Sequence, residues 1–131
     1  MWLLDTHICS YILKQRPPSV LTRFTAVGAE HLATSTVVLG ELLFGCARHP
    51  DGERIRREVE DFVSRLQIVT WDEAAARAYG DLRAHLERSG TPVGGMDMMI
   101  GAHALALGAT LVTNNVRHFE CMPGLQLENW V

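Results

Sequence analysis

Short apolar runs alternate along this chain with longer stretches in which apolar residues recur at helical spacing. The short runs sit at Trp2–Leu4, His31–Thr34, Gln67–Trp71, Thr110–Thr113 and, more sparsely, Leu125–Trp130. Runs of this length between polar or glycine-containing segments predict five strands. In the intervals, Thr6 precedes a helix over His7–Gln15, Ser19 one over Val20–Ala26, and Ser35 one over Thr36–Ala47. Each hydroxyl is suited to accept an otherwise unpaired N–H of the first turn. Residues 53–65 place Ile55, Val59, Phe62 and Val63 on one side of a charged helix. Asp72 caps an alanine-rich helix ending near Arg88, and Met96–Leu107 makes another. Strands alternating with helices predict an α/β fold whose mainly parallel sheet is covered on both faces. In such sheets ligands bind at the carboxyl ends of the strands.

The chain has 131 residues, 47% of them hydrophobic and 21% charged, which suits one folded domain over 1–131 and excludes a disordered chain. Breaks are short: Pro17-Pro18, His49-Pro50-Asp51-Gly52 and Gly90 to Gly95. There is no repeat or low-complexity tract. The opening MWLLDTH has neither a basic leader nor a long apolar stretch, and no run reaches the roughly 20 apolar residues of a membrane helix, so the expected location is the cytoplasm, away from membrane. Cys9, Cys46 and Cys121 are odd in number and lack a CxxC spacing, as free packing thiols in a reducing compartment would.

A formal charge of −3 argues against sequence-blind coating of nucleic acid, which calls for a basic excess. It does not exclude chemistry on a phosphate, because an acidic site loaded with a divalent cation reverses its own local sign. Eleven of the twelve basic residues are arginine, the side chain best shaped for phosphate. Arg16, Arg23, Arg48 and Arg117 are candidate contacts.

Three acids stand out. Asp5 directly follows the first strand, at the carboxyl edge of the sheet; its bland role is to satisfy backbone N–H groups of a turn. Glu41, in the helix after the second strand, shares its face with Val37, Val38, Phe44 and Gly45 and with no basic residue. A carboxylate in apolar company needs a cation or a donor. Asp97 lies in the first turn of a helix beside Ile100, Gly101 and Ala104. It could simply complement the helix dipole, though small neighbours also leave room for something to approach. Placed on one fold, all three fall near the carboxyl ends of strands. Two carboxylates about 4 Å apart repel by roughly 4 kcal/mol at an effective dielectric of 20, which a divalent cation between them would relieve. Oxygen-only ligands select Mg²⁺, then Mn²⁺, over Zn²⁺. LVTNNVRHFE, after the fourth strand, adds Thr113, Asn114, Asn115, His118 and Glu120 to the same edge. Thr6, Thr113, Asn115 and Glu120 are the additional candidates for that site. There is no GxxxxGK[ST] loop, no GxGxxG after a strand and no GxSxG elbow.

The segments LLDTHICSYILKQRP, SxVxxGELLFGC, DFVSRLQIV, TPVGGMDMMIGAHALALG, LVTNNVRHFE and GLQLENW, in this order and spacing, resemble the PIN-domain ribonucleases, specifically VapC-type toxins of bacterial toxin–antitoxin pairs. The resemblance implies a three-layer α/β/α domain and an Mg²⁺-dependent endoribonuclease. Asp5, Glu41 and Asp97 would be its catalytic and metal-holding acids, with Thr6 beside them. It further implies homodimerisation, neutralisation by a cognate VapB-like antitoxin and, from the TNN and ENW ending, structured RNA such as tRNA as substrate. Two positions depart from the pattern: His7 stands where Asn is common, and Asn115 where many relatives have a fourth acid, for which Glu120 could substitute.

Three rivals remain at this level. His7 and His118 at the same edge would suit a histidine-driven cleavage through the RNA 2′-OH. A receiver-like signalling domain also gathers acids at strand ends but wants a lysine after a late strand, and the only lysine is Lys14. A catalytically silent α/β module would bind RNA or a protein without cutting.

Overall fold

A computed structural model describes residues 1–131. Its five strands, β1 (Trp2–Leu4), β2 (Leu32–Ser35), β3 (Gln67–Val69), β4 (Thr110–Val112) and β5 (Gln126–Glu128), form one all-parallel sheet in the order β3-β2-β1-β4-β5. Leu3 pairs with Ala33 on one side and with Leu111 on the other. Successive side chains of a strand point to opposite faces, and Leu3 and Leu4 are both fully buried. Both faces of the sheet are therefore covered.

Seven helices provide the cover: α1 (Thr6–Lys14), α2 (Pro18–Val27), α3 (Thr36–Arg48), α4 (Gly52–Ser64), α5 (Glu73–Arg88), α6 (Gly95–Leu107) and α7 (Val116–Phe119). Ser35 and Asp72 cap α3 and α5 as expected, accepting from the N–H groups of Val37 and Ala75. Two starts differ from the sequence reading. α1 is capped by Asp5 rather than Thr6, because the Asp5 carboxylate accepts the Ile8 N–H at 2.9 Å. α2 begins at Pro18, ahead of Ser19; a first-turn proline gives up an N–H that the helix could not have paired. α7, of four residues, is too short for periodicity to reveal.

The chain runs outward from β1 to β2 and β3, then crosses back over β1 to β4 and β5. The β1–β4 pair is thus the point where the winding reverses and the connections diverge, leaving a crevice at the carboxyl ends of these two strands. Beneath it a single cluster of 26 buried hydrophobic residues, with Leu3, Leu4, Ile8, Leu32, Ile100, Leu111 and Phe119 among its largest, holds the frame. Each such side chain contributes roughly 1.5–3 kcal/mol through burial. No helix is long and apolar enough to cross a membrane.

Candidate active site

Asp5 occupies the floor of the crevice. Its backbone N–H donates to the Val112 carbonyl at 3.1 Å, prolonging the β1–β4 pairing by one residue, and the residue is only 4% exposed. The bland role foreseen for this residue is real, since it caps α1, but one N–H does not neutralise a buried charge. Burial pushes the carboxyl pKa above its ordinary value. The nearby Thr113 hydroxyl, the hydrogen bond from the Ile8 N–H and the nearby His7 pull it back, while the charge of Asp97 raises it further. Asp97 thus lies within electrostatic reach of Asp5.

Glu41 lies on α3. The Thr6 hydroxyl donates to its Oε1 at 2.6 Å, the short length of a charge-assisted O–H···O⁻ bond. This contact ties the start of α1 to α3. The face expected to be apolar opens instead onto a cavity of about 520 Å³ lined by Thr6, His7, Lys14, Glu41, Phe44 and Arg48 among others. Glu41 thus meets a hydroxyl donor and open space.

Asp97, in the first turn of α6, has a side chain 26% exposed, and its Oδ2 is 2.8 Å from Nδ1 of His118. The small residues beside it do leave room for something to approach, and at Gly101 that room is taken by the protein itself. At Gly101 a β-carbon would collide with the Met122 sulfur and touch the Phe119 ring. This missing side chain lets the segment through α7 close onto α6, which delivers His118 to Asp97.

Thr113 is fully buried and receives the Asn115 N–H at 2.9 Å, so its own proton is available for Asp5. Asn115 is half-buried beside it. Asn114 turns away, bonding Tyr11 and Asn129. Glu120 caps the end of α7, exposed and with no side-chain hydrogen bond or ion pair. The fold accordingly sets Asp5 near Thr113 and within electrostatic reach of Asp97, and ties Glu41 to Thr6, with Asn115 next to Thr113. It gives Glu120 no tie to them.

No three His, Cys, Asp or Glu side chains converge into a closed metal cage. Two of the carboxylates are held by local partners, Glu41 by Thr6 and Asp97 by His118. Mg²⁺ does not require such a cage, because it takes one or two carboxylates and keeps several of its waters. The donor set fits a hard divalent ion. All its ligands are oxygens, and neither Asp5, Glu41 nor Asp97 pairs with any of the lysine or arginine side chains, whose ion pairs lie elsewhere. The buried Asp5 in particular has no lysine or arginine to pair with.

One further polar residue escaped the sequence reading. His103 of α6 is 1% exposed, and its Nδ1 lies 2.9 Å from Ser35 Oγ. That oxygen also accepts from the Val37 N–H, so the Ser35 side chain joins the start of α3 to the ring. Nε2 completes no hydrogen bond, although the Thr70 carbonyl lies on that side. Burial lowers the pKa and keeps the ring neutral. His103 links α6, which carries Asp97, to the cap of α3, which carries Glu41. A polar ring between Ala102 and Ala104 in a buried run was the available signal.

Comparison with known proteins points one way. The sequence profile of the PIN domain matches residues 2–123. The chain is 40% identical over 129 residues to the tRNA(fMet)-specific endonuclease VapC of Salmonella typhimurium, covering 98% of this chain and 97% of that one. It is 37% identical over 131 residues to ribonuclease VapC2 of Rickettsia felis, covering 99% and 98%. The crystal structure of DNA-bound VapBC from Salmonella typhimurium superposes with a TM-score of 0.94 at 39% identity, covering 99% of this chain and 98% of that one.

Proposed function

The chain belongs to the PIN-domain family, among its VapC ribonucleases, and from that premise we propose that residues 1–131 form one domain that cuts RNA at the β1–β4 crevice with a bound Mg²⁺. The observation that carries this reading is the buried Asp5, raised in pKa by desolvation and by Asp97, and paired with no lysine or arginine. Asp5 and Asp97 would hold the ion. Mn²⁺ would serve in its place.

When bound, the ion supplies charge stabilisation at the scissile phosphate and makes a water more acidic. The protein's own groups do the rest. Glu41, fixed by Thr6, orients the attacking water and takes its proton. Thr113 holds the orientation of the Asp5 carboxylate, and Asn115 stands at the rim to contact the phosphate. Hydrolysis in this manner leaves a 5′-phosphate and a 3′-hydroxyl.

The 40%-identical relative specific for tRNA(fMet) supports tRNA as substrate. The resemblance to proteins solved as VapBC complexes supports neutralisation by a VapB-like antitoxin, and we extend it to a homodimer. A second reading has one specific observation behind it: the 2.8 Å contact of His118 with Asp97 is also how a carboxylate orients a general-base imidazole.

Incubation with total bacterial RNA in Mg²⁺ and in EDTA, with mapping of the new ends, separates the two. Discrete cuts in tRNA with 5′-phosphates, lost in EDTA and in Asp97→Asn, are expected. Cuts that persist in EDTA with 2′,3′-cyclic phosphate ends would transfer the chemistry to His118.

A further inference from the structure

We propose that Phe44 and Arg48 form a nucleobase-stacking subsite for the RNA nucleotide next to the scissile phosphate. This rests on the crevice being the place of cleavage.

Phe44 is the most exposed large hydrophobic residue of the chain, at 63%. It follows Glu41 by three residues on α3, which puts the two side chains on one face with β-carbons about 5–6 Å apart. The ring is part of the lining of the same cavity as Thr6 and Glu41. The Arg48 guanidinium lies over it, 5.2 Å from the ring centre.

The charges around the ring indicate what belongs there. Several surface arginines are neutralised by nearby acids, Arg54 by Asp51 and Glu58, Arg65 by Asp61, Arg77 by Glu73 and Arg83 by Glu87, while Arg16, Arg57, Arg88 and Arg117 are not. Arg48 and Lys14, both lining this cavity, form no ion pair, although Glu41 lines it too. Two uncompensated cations flanking an exposed aromatic ring suit a strand of nucleotides, with a base on the ring face and phosphates against the cations. An apolar protein segment would cover Phe44 but leave Arg48 without a counter-charge.

Because stacking needs only a π-face, the subsite gives affinity for a base as such. Fluorescence anisotropy of labelled oligoadenylate, and of an abasic ribose-phosphate strand of equal length, tests it with Ca²⁺ replacing Mg²⁺ to suppress turnover. Wild type is expected to bind oligoadenylate roughly 5- to 100-fold more tightly than the abasic strand, the range that stacking of one base spans. Phe44→Ala should erase that ratio, Phe44→Trp should keep it, and Arg48→Ala should weaken both strands alike. Equal affinities in wild type, or an undiminished ratio in Phe44→Ala, would overturn the subsite. If the ratio survives while sedimentation of Phe44→Ala shows loss of self-association or of antitoxin binding, Phe44 belongs to a protein interface instead. The ratio is read without cleavage, so a catalytically intact Asp97→Asn would refute the acidic centre separately.

Discussion

The acids of α4 and α5 and the acids of the β1–β4 crevice are the same side chains in opposite circumstances. On the two outer helices, Glu58, Asp61, Glu73 and Glu87 are each more than half exposed and meet an arginine four residues away. Such pairs contribute little, because water already solvates both partners. In the crevice, Asp5 is withdrawn from water and feels a second carboxylate, with hydrogen-bond donors and the nearby His7 but no lysine or arginine partner. The outer acids decorate a surface. The inner ones keep an electrostatic debt that a divalent ion can discharge, so the difference between the regions marks where binding free energy is available.

The largest effects should come from removing that unbalanced charge. Asp5→Asn retains an N-cap acceptor for Ile8, since Asn caps helices as well as Asp, but removes the ionised group. RNA cleavage should fall by at least about 100-fold, the kinetic equivalent of a few kcal/mol. The metal-free protein should unfold at an equal or higher temperature. A large destabilisation in EDTA with cleavage intact would show that the cap is the whole role of Asp5. The corresponding titration with Mg²⁺ should raise the stability of wild type by about 2.7 kcal/mol when the ion is at 100 times its dissociation constant. Thermal melts of Asp5→Asn should show no comparable rise.

Next in size is His103, whose ring joins the two helices that bring Glu41 and Asp97 to the crevice. His103→Leu keeps the volume but leaves the buried Ser35 hydroxyl without its ring partner, costing about 1–3 kcal/mol. The pH dependence has a definite sign. The native ring has a pKa below its ordinary 6.5, so as pH falls through 6.5 the unfolded chain takes up a proton that the native state refuses, and stability declines. Above 6.5 both states are neutral and this contribution is fully present. Denaturation profiles of wild type should therefore fall more steeply with acid below 6.5 than those of His103→Leu. Parallel profiles would detach the histidine from that behaviour.

These contrasts show which parts of the molecule could be read beforehand. The five strands were legible because each is an apolar run between punctuation, and α3 and α5 because Ser35 and Asp72 are specific cap signals. Asp5 was harder to parse: it belongs at once to a strand end, a helix cap and the crevice, so Thr6 looked like the cap when its hydroxyl is committed to Glu41. The room beside Asp97 was legible only in part, since a glycine in a helix says that something approaches but not what. Here it is Met122 and Phe119, and α7 had no periodic signature of its own. The Ser35–His103 contact joins residues 68 positions apart and could be seen only once β2 and α6 were packed.

A smaller effect is expected where the crevice borrows a neutral donor. Thr6→Val removes the hydroxyl that holds Glu41, with little change of shape. Loss of one hydrogen bond to a carboxylate at a half-buried site should lower kcat by roughly 10-fold, with RNA binding unchanged in a filter assay. If cleavage is unaffected while stability falls, the Thr6–Glu41 contact only splices α1 to α3.

The smallest effect belongs to the outer helices and sharpens the contrast from its other side. Glu73 and Arg77 on α5 stand 2.9 Å apart with side chains 79% and 76% exposed. A double-mutant cycle with alanine at both positions should give a coupling of only about 0.3–0.5 kcal/mol. Raising the salt should diminish it further, since exposed charges are screened over about 10 Å at 0.1 M ionic strength. Cleavage should remain that of wild type in all three variants. Coupling of several kcal/mol would mean that this face is desolvated in the working protein, by a partner or a second copy. The division between a decorated surface and a binding crevice would then have to be redrawn.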